Sequence, residues 1–538
     1  MRVYYYKDGK KLMGKSSNAD FALKTSVINN RVTTTLTAKE NISLIEADEF
    51  VPFNVNFHDL YFLNGYQSWT DTKEFSLYKR LRNINKSPHI ISHMFAMNKY
   101  GDSTFYKYSI KKMHGYDIFY SKGKNESFIY SVNYKTAYLI VELIKDKKDL
   151  HLISAVKGID LKKGESINIF DYYLFFNFEE GLNSFKTVYP ENIPEKLFGY
   201  SSWYNYYQNI NEEIILRDLN ALDSRFNVFQ IDDGYETFVG DWLDVDPVKF
   251  PSGLEPIVKQ IHEKGYKAGI WLAPFVAETN SKLFKEHQDW FRKDKKGNPV
   301  KSGGNWSGQW ALDLDNQEVR DYIEKCLRHY MDMGFDFFKL DFLYASGLVL
   351  YPGRSRCQMQ YQSYQWLRNI LKDKLILGCG ANIINSYGNF DYLRVGPDVS
   401  LIFDDVSYMR LFHRERISTK VTLQNTVYRS FFNKHLFGND PDVFLLRGDN
   451  IQLTFEQRKA LTKINALFGS VLMTSDDIAT YDEKQKKILE DALAIFKEAK
   501  VDTWKTIDKN HIKVEYHVGN EYHSFTYSVK KGVLLNER

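Results

Sequence analysis

The sequence predicts an α/β chain: a (β/α)8 TIM barrel, with an N-terminal β-sandwich domain before it and a small C-terminal antiparallel β domain after it. Three observations carry this. Strand, loop and helix patterns alternate eight times across residues 196–499, which implies a parallel sheet. Eight such units fit a closed barrel better than an open sheet, and no strand is followed by a GxGxxG turn. The flanking residues read as short apolar or alternating runs punctuated by turns, with few helical periods.

The length of 538 residues exceeds one ordinary core, so two or three domains are expected, and the pattern along the chain divides it at 1–195, 196–499 and 500–538. A net charge of +4 is too mild for a nucleic-acid footprint. Cys326, Cys357 and Cys379 have no CxxC spacing, which argues against a disulfide framework or zinc site. The histidines are scattered without HxH or HExxH, so no metal and no cofactor are expected. The chain opens without an apolar signal region and holds no long apolar run, so a cytoplasmic protein without membrane contact is expected. The 16% aromatic content suits carbohydrate platforms, although codon bias also enriches Tyr, Asn and Lys.

In the N-terminal region, strands are predicted over 32–37, 128–132, 137–142 and 150–154, with turns at 121–125 and 162–164. The loop Leu63-Asn-Gly-Tyr-Gln-Ser-Trp69 fits either an ordinary turn on a core Trp or a sugar-lining segment. Barrel strands are predicted at 198–203, 229–234, 267–274, 336–342, 375–380, 392–398, 443–447 and 470–475. Helices are predicted at 211–223, 253–263, 316–333, 361–372, 454–467 and 483–498. The first opens on Asn211 with Glu212 and Glu213, where acidic groups suit a helix N-terminus. Tail strands are predicted at 512–517, 522–527 and 532–535.

The fourth barrel strand is the informative one. Its apolar run is broken by Lys339 and Asp341, two apart and therefore on one side of the strand. A buried parallel strand should hold no charge. Either the two form a structural ion pair, or the strand delivers a carboxylate to the barrel's C-terminal end, where barrel active sites lie. Neighbouring strands end similarly: Trp203 on the first, Asp232 and Asp233 on the second, Trp271 on the third, Cys379 and Gly380 on the fifth, Arg394 and Asp398 on the sixth. Each has a bland reading, such as a helix cap, a core Trp or a salt bridge. Six consecutive strands delivering polar or aromatic groups to one rim suit a site rather than a core.

Two carboxylates facing a glycosidic bond are the working parts of glycoside hydrolysis. Asp341 would be the nucleophile, held ionised by Lys339, and Asp398 the acid and then the base. Trp203 and Trp271 would pack on sugar faces, and Asp232 and Asp233 would grip hydroxyls.

The chain resembles glycoside hydrolase family 36, the α-galactosidases of bacterial type, and more distantly family 27. Lys339-Leu-Asp341 fits the K-x-D nucleophile motif, and Arg394-Val-Gly-Pro-Asp398 the R-x3-D acid/base motif. Gln230-Ile-Asp-Asp-Gly234, Gly240-Asp-Trp242, Phe250-Pro-Ser-Gly253 and Gly269-Ile-Trp-Leu-Ala-Pro-Phe275 follow the barrel signature in order. Asn64-Gly-Tyr-Gln-Ser-Trp69 resembles the N-terminal motif that reaches over the barrel mouth, which makes Trp69 a site residue. The resemblance implies release of terminal α-linked galactose, as in melibiose or raffinose, with retention through a galactosyl-Asp341. It implies that Asp232 and Asp233 bind O4 and O6, that Lys339, Cys379, Gly380 and Arg394 line the remaining hydroxyls, and that Trp203 and Trp271 are walls. One departure is Gly378-Cys-Gly-Ala381, where longer members carry a Ser-Cys-Ser-Gly-Gly-like segment. The oligomeric state does not carry over.

Three other functions share these residues: an α-N-acetylgalactosaminidase, a galactosyl transferase of raffinose-synthase type, and a non-catalytic galactoside-binding protein. Arg394 beside Asp398 would oppose its protonation, so Arg394 is expected to point at substrate hydroxyls and Asp341 to be lowered by Lys339. The loops at 294–310 and 429–449 are expected to shape outer subsites.

Overall fold

A computed structural model of the chain describes residues 1–84, 96–145, 147–192 and 194–538. The N-terminal region forms two antiparallel sheets. One runs Lys10–Gly14, Arg2–Lys7, Ile42–Pro52, Asp149–Ser154, Leu139–Ile144 and Lys112–Tyr116, with Asp160–Leu161 added on Ile42–Pro52. The other runs Phe21–Ile28, Arg31–Ala38, Ser166–Phe175, Ser127–Ser131, Ile118–Lys122, Leu60–Leu63 and Lys73–Ser76. Residues such as Leu36, Phe119, Ile129 and Val141 fill the space between them.

The Ser127–Ser131, Ile118–Lys122 and Leu60–Leu63 part of the second sheet is buried on both faces, which explains its apolar runs. Side chains alternate across a strand. Tyr61, Leu63 and Ile129 point into the sandwich, while Phe62, Phe128 and Tyr130 belong to the core shared with the barrel. The helix Phe178–Val188, absent from the sequence reading, lies on the same face, with Phe185 packed against Phe128 and Phe431. Asn177 caps it by accepting from Glu180 N at 3.0 Å.

The barrel strands are Leu197–Ser201, Val228–Ile231, Lys267–Leu272, Phe337–Leu340, Leu375–Gly378, Tyr392–Arg394, a split seventh strand and Val471–Thr474, all paired in parallel. The seventh begins at Gly438 rather than Val443. Gly438–Asp440 pairs with the sixth strand and Val443–Phe444 with the eighth, so the barrel closes across Pro441 and Asp442. Pro441 has no N–H for the ladder, and Asp442 turns the chain with φ +75°.

The helices fall as expected, capped by Asn211, Asn316, Ser355, Thr454 and Asp482. The helix Thr419–Tyr428 was not legible. It is buried almost throughout, since the sandwich covers its outer face, so it shows no amphipathic period. The segment after the third strand folds into a small antiparallel sheet of Val276–Glu278, Gln309–Ala311 and Lys301–Gly303. The C-terminal sheet has four strands rather than three: Ala499–Asp508, His511–Val518, Glu521–Ser528 and Val533–Leu535. The extra one is a polar, largely exposed edge strand. Among the described residues, no helix is long and apolar enough to cross a membrane.

One buried acid couples the fold to pH. Asp117 sits between two sandwich strands at φ +62°, and its Oδ1 accepts from Leu139 N at 2.8 Å. Burial pushes its carboxyl up to about 8. An unfolded aspartate titrates near 3.9, so the folded state holds a proton that the unfolded state loses over that window. Stability therefore falls as pH rises from about 4 to about 8. Asp117→Asn keeps the acceptor oxygen and suits the left-handed backbone. By calorimetry it is expected to melt above wild type at pH 8, with the gap closing toward pH 4; an equal gap at both values contradicts the account.

Candidate active site

Asp341 follows directly on the fourth strand and Asp398 lies just past the sixth, so both stand at the C-terminal rim of the barrel. They face one cavity of about 320 Å³. Its other lining comes from Trp69 and Tyr100 of the N-terminal region, Asn305 of the loop after strand three, Phe342, and the segment carrying Tyr408, Met409, His413 and Ile417.

Asp341 is 8% exposed. Its Oδ2 accepts from Trp271 Nε1 at 3.1 Å and its Oδ1 from Phe342 N at 2.7 Å. Phe342 holds a left-handed backbone, φ +54°, of the kind that non-glycine residues adopt at constrained sites. No ion pair reaches Asp341 among the described residues. The Lys339 ammonium lies 2.7 Å from Asp232 Oδ2 instead. Asp341 is therefore raised, not lowered: burial lifts it by more than the nearby Lys339 charge lowers it, and Asp398 adds a smaller lift.

Arg394 corrects the second expectation. It is 3% exposed, and its guanidinium is shared by three carboxylates: Nε with Asp440 at 2.8 Å, Nη1 with Asp398 at 2.8 Å and Nη2 with Asp442 at 2.8 Å. It points at carboxylates rather than into the cavity. Asp398 keeps a single hydrogen bond from it and leaves 34% of its side chain exposed.

The remaining predicted residues divide. Asp232 is engaged by Lys339, Gln230 and Ser201. Asp233 accepts from Gln208 Nε2 at 3.0 Å and Trp306 Nε1 at 2.8 Å, and burial raises its carboxyl. Trp271 is 2% exposed, so it is a donor beneath Asp341 rather than a sugar-packing wall. Cys379 is fully buried, its thiol pushed well up by burial, and its Sγ lies 3.4 Å from Trp69 Nε1. Gly380 has φ +60°, and a Cβ there would stand 2.9 Å from the Trp69 ring, so glycine is what lets the N-terminal loop close on the barrel. Trp203 opens a short helix and packs edge-on against Tyr207; among the described residues it does not line the cavity.

Sequence reasoning missed three contributors. Trp306 packs against Trp271 and Phe342 and holds Asp233; the Gly303–Gly308 run around it was the signal. Tyr100 reaches the mouth from the N-terminal region and packs on Trp69. The 405–417 segment carries no periodic pattern that would have placed it there. The 429–449 segment holds the short helical turn Ser430–Phe432 and the split seventh strand, and none of its residues is among those lining the cavity around Asp341 and Asp398.

Residues 200–370 match the family model described as Melibiase. Alpha-galactosidase 1 of Pediococcus pentosaceus is 29% identical over 211 residues, 34% of this chain and 27% of that protein. The A type blood alpha-D-galactosamine galactosaminidase of Flavonifractor plautii is 27% identical over 212 residues, 35% of this chain and 19% of that protein. The chain thus spans about a quarter of the length of the curated relatives it matches. Among solved structures, the alpha-galactosidase TtGalA of Thermus thermophilus, in complex with p-nitrophenyl alpha-D-galactopyranoside, is similar at TM-score 0.71 and 25% identity, over 96% of this chain and 97% of its own. The GH36 alpha-galactosidase AgaA of Geobacillus stearothermophilus shares the fold at TM-score 0.61 and 14% identity, over 95% of this chain and 78% of that one. Part of the barrel therefore matches the Melibiase model, and the chain as a whole shares the fold of these solved α-galactosidases.

Proposed function

We propose that this protein is a retaining α-galactosidase that hydrolyses terminal α-linked galactose from galacto-oligosaccharides by double displacement through a galactosyl-Asp341. The observation that carries this reading is the pair of carboxylates, Asp341 and Asp398, facing one cavity at the barrel rim with unequal surroundings. Paired carboxylates with different environments are how one site runs both nucleophilic and acid chemistry. The Thermus relative bound to a p-nitrophenyl α-galactoside supports the choice of sugar.

In the first step an Asp341 oxygen bonds to the anomeric carbon while Asp398 gives its proton to the departing oxygen. In the second, Asp398 takes a proton from water, which displaces Asp341 from that carbon. Two neutral donors, Trp271 Nε1 and Phe342 N, hold Asp341 in place. Neither neutralises it, so its negative charge stays available for attack. The acidic limb of kcat/KM, which reports the free enzyme's base, should lie above the ordinary aspartate range, since Asp341 is raised.

Release of nitrophenol from p-nitrophenyl α-galactoside and from the α-N-acetylgalactosaminide tests sugar and nucleophile together. Wild type is expected to cleave the galactoside. Asp341→Ala should lose at least about a thousandfold in kcat, with azide restoring turnover as β-galactosyl azide. Cleavage of only the acetamido sugar, or an Asp341→Ala variant as active as wild type, would sink the reading. Lys339→Met is expected to cost about 3–5 kcal/mol in urea unfolding, because it strands the buried Asp232 carboxylate. A cost under about 1 kcal/mol would show that the pair does not hold the rim.

A further inference from the structure

Arg394 poses a problem for the acid. A guanidinium within hydrogen-bond distance favours the ionised form of a carboxyl, yet a general acid must carry its proton near neutral pH. The surroundings of Arg394 resolve this. Asp440 Oδ2 occupies Nε and Asp442 Oδ1 faces Nη2, each at 2.8 Å, and both carboxylates are almost fully buried. Asp442 is fixed from its other side: its Oδ2 accepts from Tyr204 OH and, at 2.7 Å, from Val399 N, the residue after Asp398. Asp440 Oδ1 accepts from Asp442 N at 2.8 Å. The strand break at Pro441, with Asp442 in the left-handed region, is what brings two acids two residues apart onto one guanidinium.

We propose that Asp440 and Asp442 are positioning residues that hold Arg394 from behind, so that Asp398 takes a single bond from it and keeps its carboxyl open to the cavity for proton transfer to the leaving group. The inference rests on the reading of Asp398 as the acid. One guanidinium cannot balance three ionised carboxylates, and surplus buried charge is costly, so the cluster retains a proton. Burial raises the Asp442 carboxyl, with Asp398 and Asp440 adding to the rise and Arg394 opposing it. The charged and titratable groups around Asp442 are Tyr204 from beyond strand one, Arg394 from the end of strand six, Asp398 from the loop after it, and Asp440 from the first half of the split seventh strand. Behind Tyr204 stands the Arg447–Asp476 pair, at 2.7 Å, with Arg447 donating to the Tyr204 carbonyl.

Asp442→Asn removes one competing anion, so Arg394 acts more strongly on Asp398 and favours its ionised form. The alkaline limb of kcat/KM should move down by roughly one pH unit. The loss should depend on the leaving group. Melibiose, whose glucose departs through a poorly leaving sugar oxygen and needs the acid's proton, should fall about a hundredfold in kcat/KM, whereas p-nitrophenyl α-galactoside, whose nitrophenolate scarcely needs it, should fall less than about fivefold. Asp440→Asn makes the same test if Asp442→Asn does not fold. Equal losses on both substrates with an unmoved alkaline limb would show a merely structural role and overturn the proposal. Asp398→Gln, measured alongside, separates the two claims. If it too loses both substrates equally, Asp398 is not the acid and the underlying reading falls with the inference. If it spares the nitrophenyl substrate while the other variants do not, only the inference falls.

Discussion

Two buried cations beside the paired carboxylates, on strands four and six, are each engaged by acids other than Asp341. Lys339 is taken by Asp232, and Arg394 by Asp440 and Asp442. The site depends on this division. Were Lys339 paired with Asp341, that carboxylate would be lowered rather than raised, and one of its oxygens would be taken up by the ammonium. Were Arg394 bidentate on Asp398, that group could not rest protonated. Commitment elsewhere leaves Asp341 with neutral donors and Asp398 with one bond, which separates two otherwise similar acids.

The cavity also needs the N-terminal region, which is not an appendage. Arg429 is fully buried, and its guanidinium donates to the carbonyls of Ser68 and Val395 and, at 3.1 Å, to Asn64 Oδ1. Ser68 N reaches Ala381 O at 2.9 Å, and Asn382 Nδ2 reaches Tyr66 O at 2.7 Å. These bonds seat Trp69 over Cys379 and Gly380, so a residue of the sandwich domain lines a barrel site. Buried polar groups joined in this way specify one geometry, because each unmade bond would be costly.

Most of the architecture was legible, because eight strand–helix alternations leave a periodic trace and strand ends expose polar residues where a core would not. The carboxylates stood out for that reason, as did Lys339, a charge in an apolar run. What failed has physical causes. The helix at 419–428 is covered on all sides, which erases its period. The seventh strand is interrupted by Pro441, so only its second half resembled a strand. Which carboxylate Lys339 would choose was set by Asp232 at the end of the second strand, separated from the fourth by one intervening strand, a contact that spacing within one strand cannot reveal. Trp203 and Trp271 were assigned by type, and burial and neighbours gave them other positions.

The central claim is that Asp341 attacks the anomeric carbon and Asp398 serves both steps. The most direct test is proton NMR of the first sugar released from an α-galactoside, recorded before mutarotation. Double displacement predicts that α-galactose forms first and the β anomer appears only as the sample equilibrates. Initial formation of β-galactose would mean that water attacks in a single step, and would contradict the assignment of Asp341 as nucleophile.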